Sequence, residues 1–222
     1  MNLTKAFIFF ILILTTKFSI GQQVDLFLED YHFYKLVHSE KAEDYKGIEG
    51  TPYLEKDFTD GVFRLKDSSL IKLPIRYNMY SDELEYRLKD INYVVGNRDI
   101  LKNTTIGKSV FVYMPSVQKG GYFELLEAGK CSLVVKRKVI FKPAEGPKPI
   151  EAKRIPARFE REPDVYFLIV GESEAVKAGN LKSVINALQD RKPQIENFIE
   201  QEKIKNTRPE NLVKIVKYYN TF

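Results

Sequence analysis

Serine chemistry is the first possibility that residue types raise in this chain. Gly171-Glu172-Ser173-Glu174-Ala175 echoes the sharp turn that exposes a nucleophilic serine, but that arrangement needs a histidine later in the chain. The two histidines, His32 and His38, both lie upstream. Ser69-Leu70-Ile71-Lys72 and Ser116-Val117-Gln118-Lys119 match a serine–lysine pair by letter. Such a pair works one helical turn apart, whereas on a strand residues three apart point to opposite faces. Metal chemistry lacks ligands. His32 and His38 stand six apart without a His-Glu-x-x-His or EF-hand pattern, and they read as surface histidines. The single Cys131 excludes multi-cysteine zinc and iron–sulfur sites as well as a disulfide scaffold. No glycine-rich phosphate cradle is present, so no cofactor is expected.

Paired carboxylates remain. Glu83 and Glu85 fall on one face of Glu83-Leu84-Glu85-Tyr86-Arg87-Leu88-Lys89, together with Arg87 and Lys89. That mixture predicts a solvated strand face with cross-strand charge pairs, while Leu84, Tyr86 and Leu88 point inward. Two acids from distant strands meeting across a groove would make a glycoside hydrolase, and this stays open as an alternative.

The most uneven charge lies between Lys136 and Arg161, where nine basic residues face three acids. Lys136, Lys138, Lys153, Arg154, Arg158 and Arg161 are the candidate patch for an anionic partner such as lipid head groups or acidic polysaccharide. The plain alternative is a charged hairpin that resists edge-to-edge aggregation.

Elements must carry these residues, and the hydrophobic pattern predicts strands. The chain has 222 residues, 44% hydrophobic and 29% charged, with 13 Tyr, 15 Phe and no Trp. That supports one domain with a real core and excludes a disordered or low-complexity chain. Alternation predicts strands around Phe63–Leu65, Leu70–Tyr80, Glu83–Lys89, Ile91–Val95, Thr104–Met114, Tyr122–Glu127, Cys131–Phe141 and Val165–Val170. Pro74 places its strand at an edge or a bulge. Ala128-Gly129-Lys130 predicts a hairpin turn, and Cys131 alternates onto the face of Leu133 and Val135 as a core cysteine. Five prolines between Pro143 and Pro163 predict a long hairpin loop or extended edge. From residue 177 the period changes to 3.6. Helices are expected around Leu181–Leu188, from Pro193, and after Thr207, where Thr207 and Glu210 have capping-box spacing.

The fold class expected is α+β: a curved antiparallel sheet of about eight strands, a meander able to curl into a half-barrel, with a short C-terminal helical cluster. If the sheet curls, strand aromatics such as Tyr77, Tyr86, Phe111 and Tyr122 either fill its core or line a concave surface for an apolar ligand such as a lipid.

The first segment reads as an address. Lys5 precedes an apolar run from Ala6 to Leu14, with a small-residue exit at Ser19-Ile20-Gly21. This is the anatomy of a secretory signal peptide, too short to span a bilayer. Removing residues 1–21 lowers the formal net charge from +5 to +3, which argues against nucleic-acid binding. The expected organisation is a signal peptide at 1–21, a lead-in segment at 22–57, a β domain at 58–176 with its basic loop at 143–163, and helices at 177–222. No membrane-spanning segment is expected after cleavage.

Several phrases carry a resemblance: Gly50-Thr51-Pro52-Tyr53-Leu54, Asp60-Gly61-Val62-Phe63, Leu73-Pro74-Ile75-Arg76-Tyr77-Asn78, Gly121-Tyr122-Phe123-Glu124-Leu125-Leu126 with Gly129-Lys130, and Tyr218-Tyr219-Asn220. They resemble an exported protein family of Bacteroidota with no established activity. The resemblance implies a periplasmic or secreted location and brings no site residues. The functional expectation is a non-catalytic exported protein that binds or scaffolds a cell-envelope or extracellular component.

Overall fold

The computed structural model describes residues 42–146 and 154–222. The segment expected to be a signal peptide, both histidines, the lead-in up to residue 41 and Lys153 lie outside these. Among the described residues twelve strands run in chain order: β1 (Thr59–Leu65), β2 (Leu70–Asn78), β3 (Glu83–Leu88), β4 (Ile91–Val94), β5 (Leu101–Ile106), β6 (Ser109–Tyr113), β7 (Tyr122–Glu127), β8 (Cys131–Lys136), β9 (Val139–Lys142), β10 (Arg158–Arg161), β11 (Val165–Val170) and β12 (Val176–Lys177). Three helices follow, α1 (Leu181–Ala187), α2 (Lys192–Gln201) and α3 (Pro209–Tyr219). Ten strands form one open antiparallel sheet ordered β12-β11-β8-β7-β6-β5-β1-β2-β3-β4, and β9 pairs with β10 as a separate arm. The fold is α+β with a curved sheet.

Two predicted strands are each divided. The stretch Thr104–Met114 folds back at Gly107, so Ile106 pairs with Ser109 across a tight hairpin. The Cys131–Phe141 stretch leaves the main sheet at Arg137-Lys138, and its second half pairs with β10. Alternation cannot signal a hairpin whose turn is two residues long and whose flanks are equally apolar. Pro74 sits where β2 has only β1 beside it, since pairing with β3 begins at Ile75. Its missing N–H therefore costs no ladder bond.

Curvature shows in ring contacts. Tyr77 on β2 and Phe111 on β6 are three strand spacings apart, which on a flat sheet is roughly 14 Å. Their ring centroids are 5.0 Å apart. Phe63, Ile75, Tyr77, Leu84, Tyr86, Phe111 and Tyr122 fill the inside of this curl. On the other half of the sheet, Cys131, Leu133 and Leu168 face Val184, Leu188, Ile195, Leu212, Ile215 and Val216 of the helical cluster. Phe123, Val134 and Phe167 form a third cluster on the reverse side.

The helices are short and lean on the sheet. Asn180 caps α1 in a reciprocal box with Ser183. Pro193 opens α2 in its first turn, as expected. The capping box anticipated at Thr207 is absent: α3 begins at Pro209 after Arg208 with no side-chain cap. Asn220 ties the end of α3 to the β7–β8 hairpin, accepting from Cys131 N (2.8 Å) and donating to Cys131 O (3.0 Å). A Cβ on Gly129 would collide with the Asn220 amide, so only glycine lets the turn approach.

Candidate functional site

The outer side of the β2–β3 hairpin carries a polar network that begins with its register. Pairing Asn78 with Glu83 sets Arg76 opposite Glu85. Arg76 donates from Nε (2.8 Å) and Nη2 (2.6 Å) to Glu85 Oε2, and Asn78 Nδ2 donates to Glu85 Oε1 at 2.9 Å. The Arg76 guanidinium lies 3.5 Å from the Tyr53 ring centre and 4.2 Å from that of Phe58. The Glu85 side chain is only 1% exposed. The solvated face expected for Glu83 and Glu85 therefore holds at Glu83 but fails at Glu85, because residues 42–58 fold across the hairpin and bury it. The signal was available: reading the hairpin around Ser81-Asp82 places an arginine opposite a glutamate.

Asn78 also shapes the turn. Its side-chain oxygen accepts from Tyr80 N (3.0 Å) and Ser81 N (3.1 Å), and its nitrogen donates to the Tyr45 hydroxyl (3.2 Å). Asp82, which follows Ser81 in the turn, takes a left-handed conformation at φ +59°, which aspartate tolerates. Asp82 accepts from the Tyr77 hydroxyl (2.7 Å) and from Lys136 Nζ (2.6 Å), and more weakly from Tyr122 N (3.3 Å). Gly121 is buried at φ +132°, and a Cβ there would strike both Asp82 and Lys136. Burial holds the Lys136 ammonium below its ordinary range, against the opposing pull of Asp82.

Beside this turn opens a cleft of about 700 Å³, bordered by Tyr45, Tyr80 and Ser81, by Val94–Gly96, and by the charged Glu43, Glu83, Glu85 and Arg98. Tyr80 is 42% exposed and is braced edge-on by Tyr45 (5.9 Å) and tilted against Phe159 (5.1 Å). Arg98 pairs with Glu83 at 3.2 Å. Glu83 and Glu85 thus each meet a guanidinium, while Glu43 adds a third acid to the lining. Ser81 Oγ on the border is buried without a partner, as is Tyr122 Oη, which is not part of the cleft's lining. The Tyr122 ring is fully buried, and its hydroxyl sits in the fields of Arg98, Asp82 and Glu83. Burial pushes that phenol well above its ordinary range.

A second cleft of similar volume lies between the β6–β7 loop and the β11–β12 turn, bordered by Met114, Val117, Ile169 and Ala175. Among the described residues it contains no buried polar atom lacking a partner.

Of the six candidate basic residues, five lie among the described residues, and four of these face acids. Lys136 is clasped by Asp82, Lys138 pairs with Glu162 at 3.2 Å, Arg158 with Glu160 at 2.7 Å and Arg161 with Asp164 at 3.1 Å. Arg154 is exposed near the tip of the β9–β10 arm, and Lys153 lies outside the described residues. Arg137, not among the candidates, joins Glu124 and Asp164 at 2.5 Å each. The strand aromatics Tyr77, Tyr86, Phe111 and Tyr122 are at most 2% exposed, so they are used as core. Among the described residues no cluster of histidine, cysteine or acids could hold a metal ion, and no helix is long and apolar enough to cross a membrane.

Compared with known proteins, the chain matches no family profile, no curated protein and no solved structure.

Proposed function

We propose that this chain is an exported, non-catalytic protein of the Bacteroidota type named above, which binds a cell-envelope or extracellular component through the cleft beside the β2–β3 turn. The observation that carries this is the pairing of Glu83 with Arg98 and of Glu85 with Arg76 and Asn78. A general acid or nucleophile needs a carboxylate free to exchange a proton or attack a carbon, and these two are engaged. What the cleft offers instead is a fixed aromatic surface and a rigid set of hydrogen-bonding groups, the usual composition of a recognition site. The apolar run Ala6 to Leu14 after Lys5, read as a signal peptide, is what supports export.

The test is co-sedimentation of the purified protein with peptidoglycan, lipopolysaccharide vesicles and capsular polysaccharide. Binding to at least one, weakened about tenfold or more by Tyr80→Ala and unchanged by Arg154→Ala, supports the proposal. Binding that depends on Arg154 and ignores Tyr80 overturns it in favour of the basic arm. Hydrolysis of any of these materials that disappears in Glu83→Gln or Glu85→Gln overturns the non-catalytic part.

A further inference from the structure

Resting on that binding proposal, we infer that the group recognised in the cleft is a primary ammonium carried on a peptide, as at the end of a lysine-like side chain. Two tyrosines begin the argument. Tyr45 and Tyr80 both line the cleft, with ring centres 5.9 Å apart and planes at 86°. Tyr80 keeps 42% of its surface exposed, and Phe159 holds it from the other side at 5.1 Å. A tyrosine face attracts a cation through its ring quadrupole, more strongly where water is partly excluded. Two rings at right angles present a cation with a corner rather than a flat wall.

Charge points the same way. The lining carries three carboxylates, Glu43, Glu83 and Glu85, against the single guanidinium of Arg98. Arg98 is engaged by Glu83 at 3.2 Å. Glu85 is nearly closed to water and is met by Arg76, which lies outside the lining. Glu43 is left over: it is exposed and makes no ion pair among the described residues. Its field reaches the rings. Burial raises the Tyr45 phenol above its ordinary range, against the Asn78 hydrogen bond, and the negative charges of Glu43 and Glu85 push it the same way.

The strand that borders the cleft adds an acceptor. β4 is the last strand of the sheet, and Val94 stands opposite Glu85. Val95 N donates to Leu84 O at 3.0 Å, so the alternation of an antiparallel ladder turns the Val94 carbonyl away from β3. It faces the edge on which Asn92 O accepts from Ala42 N. A primary ammonium has three N–H donors and no acceptor, and a carboxylate, a carbonyl and an aromatic face are the partners it takes. An anionic group would instead meet Glu43 with Arg98 already engaged. The ammonium of a phospholipid head group travels with a phosphate, which the same carboxylate opposes, so a peptide is the better carrier.

The test titrates the whole chain with an alanine–lysine–alanine tripeptide blocked at both ends. The comparisons are the same peptide acetylated on the lysine amine, the peptide with glutamate in place of lysine, and phosphoethanolamine. Amide shifts of Ser81, Val95 and Gly96 report binding. The expected result is saturable shifts with the lysine peptide, at an affinity about threefold or more above that of each comparison. Tyr80→Ala and Glu43→Gln should each lower that affinity by a similar factor. Both replaced side chains are exposed, so an unchanged thermal midpoint shows that each variant is folded, and the comparison among probes needs no variant. The acetylated peptide or phosphoethanolamine binding as tightly as the lysine peptide overturns the inference, as does an affinity indifferent to Glu43→Gln. Amides unmoved by the lysine peptide, alongside co-sedimentation that still depends on Tyr80, overturn this inference and leave the binding proposal standing.

Discussion

Glu85 is the residue on which the candidate site is built. Its carboxylate sits under Tyr45 and Tyr53 with both oxygens engaged, so removing one partner strands the other away from water. Arg76→Ala or Glu85→Ala should each destabilise the protein by about 3–5 kcal/mol, whereas replacing both with leucine should cost less than either alone. Urea unfolding of the three variants checks the ordering. Gly121 makes a second sharp prediction. An alanine there would need a strained backbone at φ +132° and would push Asp82 from Lys136, so Gly121→Ala should lower stability by about 2 kcal/mol or more. Cys131 is buried, and burial pushes its thiol up to about 11 from an ordinary 9.0. A native thiol held protonated should resist a thiol reagent at neutral pH and react once denatured. The folded thiol ionises later than the unfolded one. Its contribution to stability is therefore complete below pH 9.0 and is lost as pH rises through about 11. Burial raises the Tyr77 and Tyr122 phenols in the same direction, so denaturant midpoints should fall in alkali. A midpoint that rises there would contradict this.

Among the elements, the helical cluster shows what amphipathic pattern could and could not tell. Period 3.6 located all three helices, and Val184, Leu188, Ile195, Leu212, Ile215 and Val216 point into one core as their spacing required. The cap at Asn180 and the anchor at Asn220 were invisible, because an asparagine acquires those roles only from what stands opposite it. Asn220→Ala removes the bonds to Cys131 N and Cys131 O and should cost about 1–3 kcal/mol. Hydrogen exchange should then quicken in α3 and in the β7–β8 hairpin while β1–β3 keep their protection; uniform loss across the sheet would contradict the local anchor. The strands repeat the lesson. Alternation found the β3 face correctly for Leu84 and Tyr86, but it sent Glu85 to water. Alternation assigns a face, and only the fold decides whether another segment covers it. Here residues 42–58, which have no clean period, provide the cover.

At the scale of the molecule, curvature decides what the aromatic residues do. A flat ten-stranded sheet would have left Tyr77 and Phe111 apart as exposed rings; the curl joins them and fills the inside. The sequence could announce many aromatics on strands, yet filling or lining depends on the radius of the curl, which no local pattern encodes. The same holds for charge: the excess of basic residues between Lys136 and Arg161 is plain in the chain, but their acids Asp82, Glu162 and Asp164 come partly from elsewhere. The surface still offers the tyrosine-edged cleft beside the β2–β3 turn, and recognition there is the central claim. Hydrogen–deuterium exchange with and without the envelope material that co-sediments tests it most directly. The account predicts slowed exchange in Tyr80–Glu85 and Val94–Arg98. Protection confined to the β9–β10 arm, between Val139 and Arg161, would contradict it.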